Sequence, residues 1–328
     1  MDFTIKKFSL ILVALIFGLL LLEAILNYMH YEYVPLKLIR IRNTENKSDW
    51  RTHHIFEDDH FSYDPYLIWR PKKNNPVFNN EGYRGREISS SRGLKTYCIF
   101  VFGDSNTLGM PGKDGSNWPG FLDNIIQESK RDCLAVNAGV WGYTLFQGLR
   151  RFKEALPLKP DMVLICFGSN DPQRVVTPDK EYISDAFGIR SKIYKYKLGL
   201  LLISLSDKLY KKKNIKLVPR VSLEDYKKYL EEIIRLCRVN NIKIVLITRP
   251  FTGRSSDTLM WLNFAPHYND IVKQVARYNN VALIDLNQYF SDKKEYFSDD
   301  SHFTDEGYKI AARMIYEEIR DYLPEAKK

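Results

Sequence analysis

Two segments far apart in this chain contain the residue types with which a serine can cleave an ester. Gly103-Asp104-Ser105 directly follows the apolar run Tyr97–Phe102, so a buried strand is predicted to end in a turn that holds the serine. Near the carboxyl terminus, Asp299 and His302 are three residues apart, and one tight turn could bring the carboxylate to a ring nitrogen. The other ring nitrogen would then face the serine.

Ester cleavage by a serine needs a base that takes the hydroxyl proton and a carboxylate that orients the base. We therefore expect Ser105 to be the nucleophile and His302 to be its base. Asp299 would hold the tautomer of the imidazole, with Asp300 as the less favoured choice.

Two further loops could supply hydrogen-bond donors for the tetrahedral oxyanion. The segment Asn137–Thr144 contains glycines, which let a backbone N–H approach a substrate oxygen without obstruction by a side chain. Gly168-Ser169-Asn170-Asp171 offers the side-chain amide of Asn170. The backbone N–H of Ser105 would be the third donor.

Each motif has a simpler interpretation when it is taken alone. Gly-Asp-Ser is a common turn, Asn170 could cap a helix, and Gly142 could be a turn glycine at a strand end. The segment from Asp299 to His302 could precede the last helix as a cap, although Thr304 fits that position better. The four signals follow four different predicted strands, and this conjunction favours a shared catalytic site.

At these motifs the chain resembles the SGNH (GDSL-type) hydrolase family, in its membrane-anchored bacterial type. The matching blocks occur in family order and span roughly residues 97–323: Gly103-Asp104-Ser105, the segment ending in Gly142, Gly168-Ser169-Asn170-Asp171, and the turn from Asp299 to His302.

The resemblance implies a three-layer, flavodoxin-like α/β/α fold with about five parallel strands. It also implies hydrolysis of carboxylic esters, or acyl transfer, without a metal or an organic cofactor. By the same resemblance, Ser105 is the nucleophile, Gly142 and Asn170 are oxyanion donors, and His302 and Asp299 complete the triad. The amino-terminal extension and the insertion after Asp171 depart from the minimal family pattern.

The pattern of elements agrees with such a fold, because apolar runs alternate with segments of helical spacing from Tyr97 onwards. Nearly continuous apolar strands separated by helices predict a doubly wound parallel sheet that is covered on both faces. The predicted strands are Cys98–Phe102, Leu134–Asn137, Met162–Phe167, Ile242–Thr248 and Val281–Leu286. The predicted helices are about Trp118–Lys130, Leu145–Leu156, Leu223–Asn240, Leu259–Asn279 and Asp305–Tyr322.

Three regions are expected along the chain. Residues 1–30 would be a cytoplasmic stub with a transmembrane anchor, residues 31–94 an extension packed on the main domain, and residues 95–328 the hydrolase domain. An insertion at about residues 173–222 interrupts that domain. Its apolar segment Tyr196–Leu205 could be a lid, a specificity element or a helix lying on the membrane, and an ordinary core helix is an equal alternative.

The anchor is predicted from Phe8–Leu22, which contains no charge and is followed after Glu23 by three more apolar residues. About 19 residues suffice to cross a bilayer. Lys6 and Lys7 precede the segment, which favours an amino terminus inside the cell and a catalytic domain on the extracytoplasmic side. A cleaved signal peptide is the alternative, but no small-x-small cleavage site follows the apolar run.

Composition excludes some function classes and supports others. The net charge is +9, but Lys and Arg are interleaved with acids, so we expect attraction to an anionic membrane surface and no nucleic-acid binding. The four cysteines form no CxxC pair and are predicted to be small buried residues. His53, His54 and His60 are expected to be solvated, with a fortuitous metal site as the weaker alternative.

Two further residues are candidates for substrate contact. Arg249 follows the fourth predicted strand and could meet a polar or anionic substrate, or it could form a structural salt bridge. Trp141 could line an acyl or sugar site, although core packing is the simpler expectation.

The function predicted from the sequence is a serine esterase that acts on O-acyl groups of cell-envelope glycans or lipids. An O-acyltransferase that uses the same site is the first alternative, and a noncatalytic binding protein that keeps the fold is the second. The sequence does not indicate a protein partner.

Overall fold

The computed structural model describes residues 2–31, 60–64, 66–88, 96–109, 116–182, 196–211, 217–252 and 263–325. The chain divides into two compact units. One contains Met1–Arg40 with Val175–Leu217, and the other contains Ile41–Arg174 with Val218–Lys328. The anchor segment and Tyr31 therefore group with most of the insertion, whereas the described residues of the extension from His60 onwards belong to the same unit as the predicted hydrolase domain.

The helices and strands of the described residues have the following bounds. The helices are α1 (Asp2–Tyr28), α2 (Ser105–Leu108), α3 (Trp118–Glu128), α4 (Leu145–Ala155), α5 (Lys197–Lys211), α6 (Leu223–Val239), α7 (Ala265–Asn279), α8 (Leu286–Phe290) and α9 (Asp305–Ile319). The strands are β1 (Phe61–Asp64), β2 (Ile68–Pro71), β3 (Tyr97–Gly103), β4 (Cys133–Asn137), β5 (Met162–Cys166), β6 (Arg174–Val175), β7 (Val218–Pro219), β8 (Lys243–Ile247) and β9 (Ala282–Ile284). Short 3-10 turns cover Leu156–Leu158, Lys294–Tyr296 and Arg320–Tyr322.

A five-stranded sheet forms the centre of the larger unit. Its strand order is β4-β3-β5-β8-β9, and every neighbouring pair is parallel. The sheet therefore starts at β3, the second strand from one edge, adds β4 at that edge and then builds outward on the other side through β5, β8 and β9. This is the flavodoxin-like order, in which ligands bind outside the carboxyl ends of the strands where the winding reverses. Here that point lies between β3 and β5.

Helices cover both faces of the sheet, which confirms the predicted three-layer α/β/α fold. On one face, α3 and α9 pack together over Ile99, Val101 and Leu164. On the other face, α6 packs against α4 and α7, and Phe152 of α4 meets Phe102 edge to face. Because β3 is buried on both faces, its sequence is almost entirely apolar.

The amino-terminal extension contributes an antiparallel hairpin, β1–β2, that packs on the larger unit. Trp69 of this hairpin is buried, and its ring lies 5.5 Å from that of Tyr143. Gln147 donates a hydrogen bond to the Leu67 carbonyl at 2.7 Å. Residues 32–59 of the extension, with His53 and His54, lie outside the described residues; His60 is half-buried.

The observed elements differ from the predicted ones mainly at their ends. The last strand was predicted to continue to Leu286, but it ends at Ile284. Asp285 accepts a hydrogen bond from the N–H of Gln288 and caps a short helix there. The predicted start of the fourth helix at Leu259 lies outside the described residues, and α7 is described from Ala265.

All four cysteines are free and buried, as the sequence predicts. Burial raises the pKa of the Cys133, Cys166 and Cys237 thiols to about 12. These thiols are therefore neutral packing groups and poor nucleophiles.

Candidate active site

Ser105 lies at the first position of α2, immediately beyond the carboxyl end of β3. Asp104 caps this short helix by accepting a hydrogen bond from the N–H of Asn106 at 3.0 Å. A side chain at Gly103 would place its Cβ 2.0 Å from Thr107 Oγ1 and 2.7 Å from the Cys166 carbonyl oxygen. Only glycine therefore permits the tight turn that leaves the Ser105 side chain partly exposed.

The structure brings Ser105, His302 and Asp299 together in one hydrogen-bonded chain. Ser105 Oγ is 2.6 Å from His302 Nε2, and His302 Nδ1 is 2.7 Å from Asp299 Oδ2. A neutral imidazole that donates its Nδ1–H to the carboxylate accepts the serine hydroxyl proton at Nε2. The arrangement thus has the hydrogen-bond polarity that nucleophilic activation of a serine requires.

Asp299 is fixed in its ionised form by the turn that it begins. Its Oδ1 accepts the backbone N–H groups of Ser301 and His302, each at 2.8 Å. Partial burial raises the pKa of Asp299, but the hydrogen bond from His302, the charge of the imidazole when it is protonated, and the two backbone N–H groups together lower the pKa by more. The pKa therefore lies well below its usual range. Asp299 consequently orients the imidazole as a carboxylate.

The His302 turn is tied to the Ser105 turn by the backbone of the next residue. The N–H of Phe303 donates to Asn106 Oδ1 at 3.1 Å. Phe303 is buried against Phe290, with ring centroids 4.5 Å apart. Thr304 then caps α9 by accepting the N–H of Gly307, which is the capping role predicted for it. The histidine is therefore held by packing on one side and by the serine turn on the other.

Arg249 lies beneath the site and is not at its rim. Its side chain is 1% exposed and forms an ion pair with Asp104, which is fully buried. The Nε atom is 3.0 and 2.9 Å from the two Asp104 oxygens, and Nη1 donates to the Ser301 carbonyl at 2.8 Å. Of the two roles that the sequence allowed for Arg249, this placement matches the structural salt bridge. The side chain has little exposed surface for direct contact with a substrate.

Two hydrogen bonds join the candidate oxyanion loops to the serine turn and to each other. Ser169 donates to Asp104 Oδ2 at 2.7 Å, and Asn170 Nδ2 donates to the Tyr143 carbonyl at 3.0 Å. The first bond joins the residue before Asn170 to the residue before Ser105. The second joins Asn170 itself to the residue after Gly142. The Asn170 amide keeps a second N–H, because Nδ2 has two hydrogens and one is used.

Gly142 adopts the left-handed backbone conformation with φ of 68°, which favours glycine at this turn. Its carbonyl accepts a hydrogen bond from Arg220 Nη1 at 2.8 Å. In the part of the chain that the structure describes, the backbone N–H groups of Gly142 and Ser105 have no hydrogen-bond partner. Both groups are thus available to an incoming acceptor.

A comparison with protein-family models identifies the family of this chain. Residues 101–310 match the sequence model of the GDSL-like lipase/acylhydrolase family, and this segment is more than half of the chain. The chain belongs to the GDSL-like lipase/acylhydrolase family. Its class is that of the ester-hydrolysing serine hydrolases.

Solved structures of low sequence identity are similar to this GDSL-like hydrolase. A lipase/acylhydrolase from Enterococcus faecalis is 20% identical, with a TM-score of 0.49, and the match covers 71% of this chain and 99% of that one. An acetylxylan esterase from Geobacillus stearothermophilus is 19% identical, with a TM-score of 0.46, and the match covers 68% of this chain and 94% of that one. A GDSL-like lipase from Bacteroides thetaiotaomicron is 16% identical, with a TM-score of 0.48, and the match covers 72% of this chain and 95% of that one. A search of curated proteins found no match.

Trp141 of this GDSL-like hydrolase is half-buried and packs on the extension. Its Nε1 donates to the Gly109 carbonyl at 3.2 Å, and its ring lies 5.8 Å from that of Phe61. The Trp141 carbonyl accepts the Nε1–H of Trp69 at 3.0 Å. Its contacts are therefore largely those of a packing residue.

Sequence reasoning missed the side chains that support the Gly142 turn. Arg220 is buried and reaches Gly142, Gln173 and Gln147, the last with Nη2 at 3.0 Å from Oε1. Trp69 also holds the turn, through its hydrogen bond to the Trp141 carbonyl. Neither residue belongs to a local motif, and both are more than 70 positions from the turn, so only the folded structure reveals them.

A cavity of ≈ 220 Å³ lies beside the Gly168–Asp171 loop. Its lining includes Pro172, Arg174, Phe264, His267 and Tyr268. The Arg174 guanidinium lies 5.1 Å from the centroid of the Phe264 ring, so cationic and aromatic groups are adjacent there. Among the described residues, no group of three or more His, Cys, Asp or Glu is arranged to hold a metal ion.

Proposed function

We propose that this chain is a serine esterase that cleaves O-acyl esters through an acyl-enzyme, with Ser105, His302 and Asp299 as its catalytic triad. The strongest support is the hydrogen-bonded chain between these side chains, with distances of 2.6 and 2.7 Å. The serine hydroxyl already has its base within hydrogen-bond distance before a substrate binds. The family to which the chain belongs performs this class of chemistry.

The reaction has two half-reactions. Ser105 Oγ forms a bond to the acyl carbon while its proton moves to His302 Nε2. The bond to the alcohol oxygen then breaks, and His302 returns the proton to the leaving alcohol. Water repeats the sequence on the acyl-enzyme, so that the carboxylic acid leaves and the serine regains its proton. Asp299 stabilises the imidazolium in both halves because it stays ionised.

Oxyanion stabilisation is assigned to the backbone N–H groups of Ser105 and Gly142 and to the second N–H of Asn170. Three features support this assignment: the two backbone groups are unpaired within the described chain, the Asn170 amide is fixed by Tyr143, and the loops are bonded to the serine turn. Donors held in advance stabilise the developing charge without reorganisation during the reaction.

The test uses Ser105→Ala in the full chain. This variant should lose hydrolysis of a short aryl ester and covalent labelling by a fluorophosphonate probe, because both need the Oγ nucleophile. Ser291→Ala is the matched control, since Ser291 is an exposed serine that bonds only to a neighbouring carbonyl. Ester hydrolysis or labelling that persists in Ser105→Ala at the level of Ser291→Ala would refute the assignment.

The substrate is proposed to be an O-acylated glycan or lipid of the cell envelope. The support is α1, in which Lys7–Tyr28 is 22 residues long with a mean hydropathy of 2.8, enough to cross a membrane. A signal sequence would have the same properties. The basic residues before it favour a catalytic domain on the extracytoplasmic side. Mass spectrometry of envelope fractions from cells with the active chain or with Ser105→Ala would identify the acyl group that changes.

The cavity lined by Pro172, Arg174 and Phe264 is proposed to receive a polar part of that substrate. Arg174 forms no ion pair with any described residue and lies next to aromatic rings, which suits a sugar that bears an acidic group. Arg174→Ala should raise KM for such a glycan and leave hydrolysis of a short aryl ester nearly unchanged. Equal effects on both substrates would exclude this role for the cavity.

A further inference from the structure

Glu23 is the one charged residue between Lys7 and Tyr31, and it lies inside the apolar helix α1. Its two carboxylate oxygens accept the backbone N–H groups of Lys197 and Leu198 at 2.9 and 2.7 Å. These are the first residues of α5, whose initial N–H groups have no partner within their own helix. Glu23 therefore caps α5 from a different segment of the chain, with the negative charge placed at the positive end of the helix dipole.

A second contact fastens the two helices farther along. The Tyr31 hydroxyl donates to Ser204 Oγ at 3.0 Å, and Asn27 supports the Glu23 carboxylate with a hydrogen bond of 3.0 Å. Both helices belong to the same compact unit. The end of α1 and the first half of α5 are thus joined by polar contacts that fix their relative position.

The opposite face of α5 presents large apolar side chains to its surroundings. Leu202, Leu205 and Leu209 are 59%, 49% and 69% exposed, and their spacing of three and four residues places them on one stripe. Ser204 is buried on the other side, toward α1. Lys208 lies beside the stripe, where a long side chain can carry its ammonium group into water.

The position of Glu23 within α1 sets the depth at which α5 begins. Glu23 is 16 residues after Lys7, which corresponds to about 24 Å along a helix and compares with a hydrocarbon layer of about 30 Å. A capping contact at that level starts α5 near the far boundary of the hydrocarbon layer. The 15 residues of α5 span only about 22 Å, too little to cross the bilayer a second time.

We propose that α5 lies in the membrane interface beside α1, with Leu202, Leu205 and Leu209 in contact with lipid. The chain would then be held by a transmembrane helix and an interfacial helix that Glu23 joins, and the insertion would be a membrane-binding element. Lipid is the environment that fits the stripe, because α5 begins near the far boundary of the layer that α1 would cross. The stripe also continues the exposed apolar surface of α1. The inference rests on α1 crossing the membrane and is independent of the catalytic residues.

The test places an environment-sensitive nitrobenzoxadiazole label at single cysteines in the full chain, reconstituted in phosphatidylcholine–phosphatidylglycerol vesicles. The labelled variants are Leu202→Cys, Leu205→Cys and Leu209→Cys, with Lys208→Cys as the control. The four native cysteines are buried, and the wild-type chain measures their background labelling. We expect blue-shifted emission at the three leucine positions, with strong quenching by nitroxide lipids and weak quenching by iodide. The Lys208 label should show the reverse.

Two results would overturn the proposal. Iodide quenching at the leucine positions equal to that at Lys208 would mean that the stripe faces water. Blue-shifted emission without quenching by nitroxide lipids would mean that a protein surface, such as a second copy of this chain, covers the stripe.

A second pair of variants tests the cap itself. Glu23→Leu makes α1 more apolar, so the chain should stay in the membrane after carbonate extraction, but it removes the acceptor of the two α5 N–H groups. The label at Leu202→Cys should then become several-fold more accessible to iodide, with a smaller change in Glu23→Gln. Unchanged accessibility in Glu23→Leu would refute the capping role, and release by carbonate would refute the transmembrane α1 on which the inference rests. Hydrolysis of a soluble aryl ester in detergent, which needs neither helix, reports on the catalytic proposal separately.

Discussion

Replacing Arg249 by Met tests whether the buried ion pair beneath Ser105 positions the site. Arg249 is 1% exposed and donates through Nε to both oxygens of Asp104 and through Nη1 to the Ser301 carbonyl. Methionine has a similar volume without any donor. The variant therefore leaves a carboxylate in the core, supported only by Ser169 and the N–H of Asn106.

The magnitude follows from these contacts. Breaking one side of a buried ion pair costs about 3–5 kcal/mol in the free energy of unfolding. Arg249 Nη2 is buried and unpaired within the described chain, so its removal relieves one small penalty and favours the lower part of that range. In the double variant Asp104→Asn/Arg249→Met no buried charge is left. It should therefore be less destabilised than the sum of the single variants, by at least about 1 kcal/mol.

Denaturant unfolding of the detergent-solubilised full chain, followed by tryptophan fluorescence, measures these free energies. Lys228→Met is the control, because its ion pair with Glu224 is exposed and should contribute little to the free energy of unfolding. Under conditions where the variant stays folded, Arg249→Met should also lower kcat more than it raises KM, since Ser301 precedes His302. A cost as small as that of Lys228→Met, with an additive double variant, would refute the reasoning.

Three further predictions concern the site and its support. Asn170→Ala should lower kcat for ester hydrolysis by about 10²–10³ through loss of an oxyanion donor, and steady-state kinetics that show a change only in KM would contradict this. Trp69→Phe keeps an aromatic side chain but is smaller than the buried indole and lacks the Nε1–H bond to the Trp141 carbonyl, so unfolding should become easier by more than about 1 kcal/mol and kcat should fall. An unchanged kcat would mean that the turn does not depend on the hairpin. Burial raises the pKa of Asp285, but hydrogen bonds from Lys273 and Thr248 lower it by a larger amount, so the pKa lies below its usual value. Its stabilising contribution is therefore present above the unfolded-state pKa of about 4 and is lost as the pH falls below it. Asp285→Asn should reduce the decrease in unfolding midpoint between about pH 6 and pH 3, and identical pH profiles would exclude the ion pair as its cause.

Local sequence signals were sufficient for the catalytic candidates. Gly103 permits the tight turn after β3, and the three-residue spacing of Asp299 and His302 is that of a single turn closed by backbone hydrogen bonds. Strand–helix alternation likewise predicted the parallel sheet, since both faces of β3 and β5 are buried and their sequences are accordingly apolar. Signals of this kind depend on neighbours in sequence, so one chain suffices to detect them.

Signals that depend on distant partners were not available from the sequence. Arg249 could be either a rim residue or a salt bridge, because its partner Asp104 is 145 positions away. The end of the last strand was misplaced because Asp285 begins a helix with a cap that overrides the apolar pattern. The pairing of Glu23 with α5 joins segments more than 170 positions apart, and neither segment alone predicts the other.

The hydrogen bonds around the site make the candidate oxyanion loops part of one polar network with the serine turn. The Asp104 carboxylate accepts hydrogen bonds from Arg249, Ser169 and the N–H of Asn106, so the serine turn and the Asn170 loop meet at one buried charge. Arg249 links the histidine turn to this charge by donating to the Ser301 carbonyl. The carboxylate can be buried only because these donors offset its lost hydration. Each loop is therefore held in place by the requirement to satisfy the same charge, and displacement of one weakens the position of the others. The geometry of the proposed triad thus depends on the core beneath it as well as on the contacts between its own side chains.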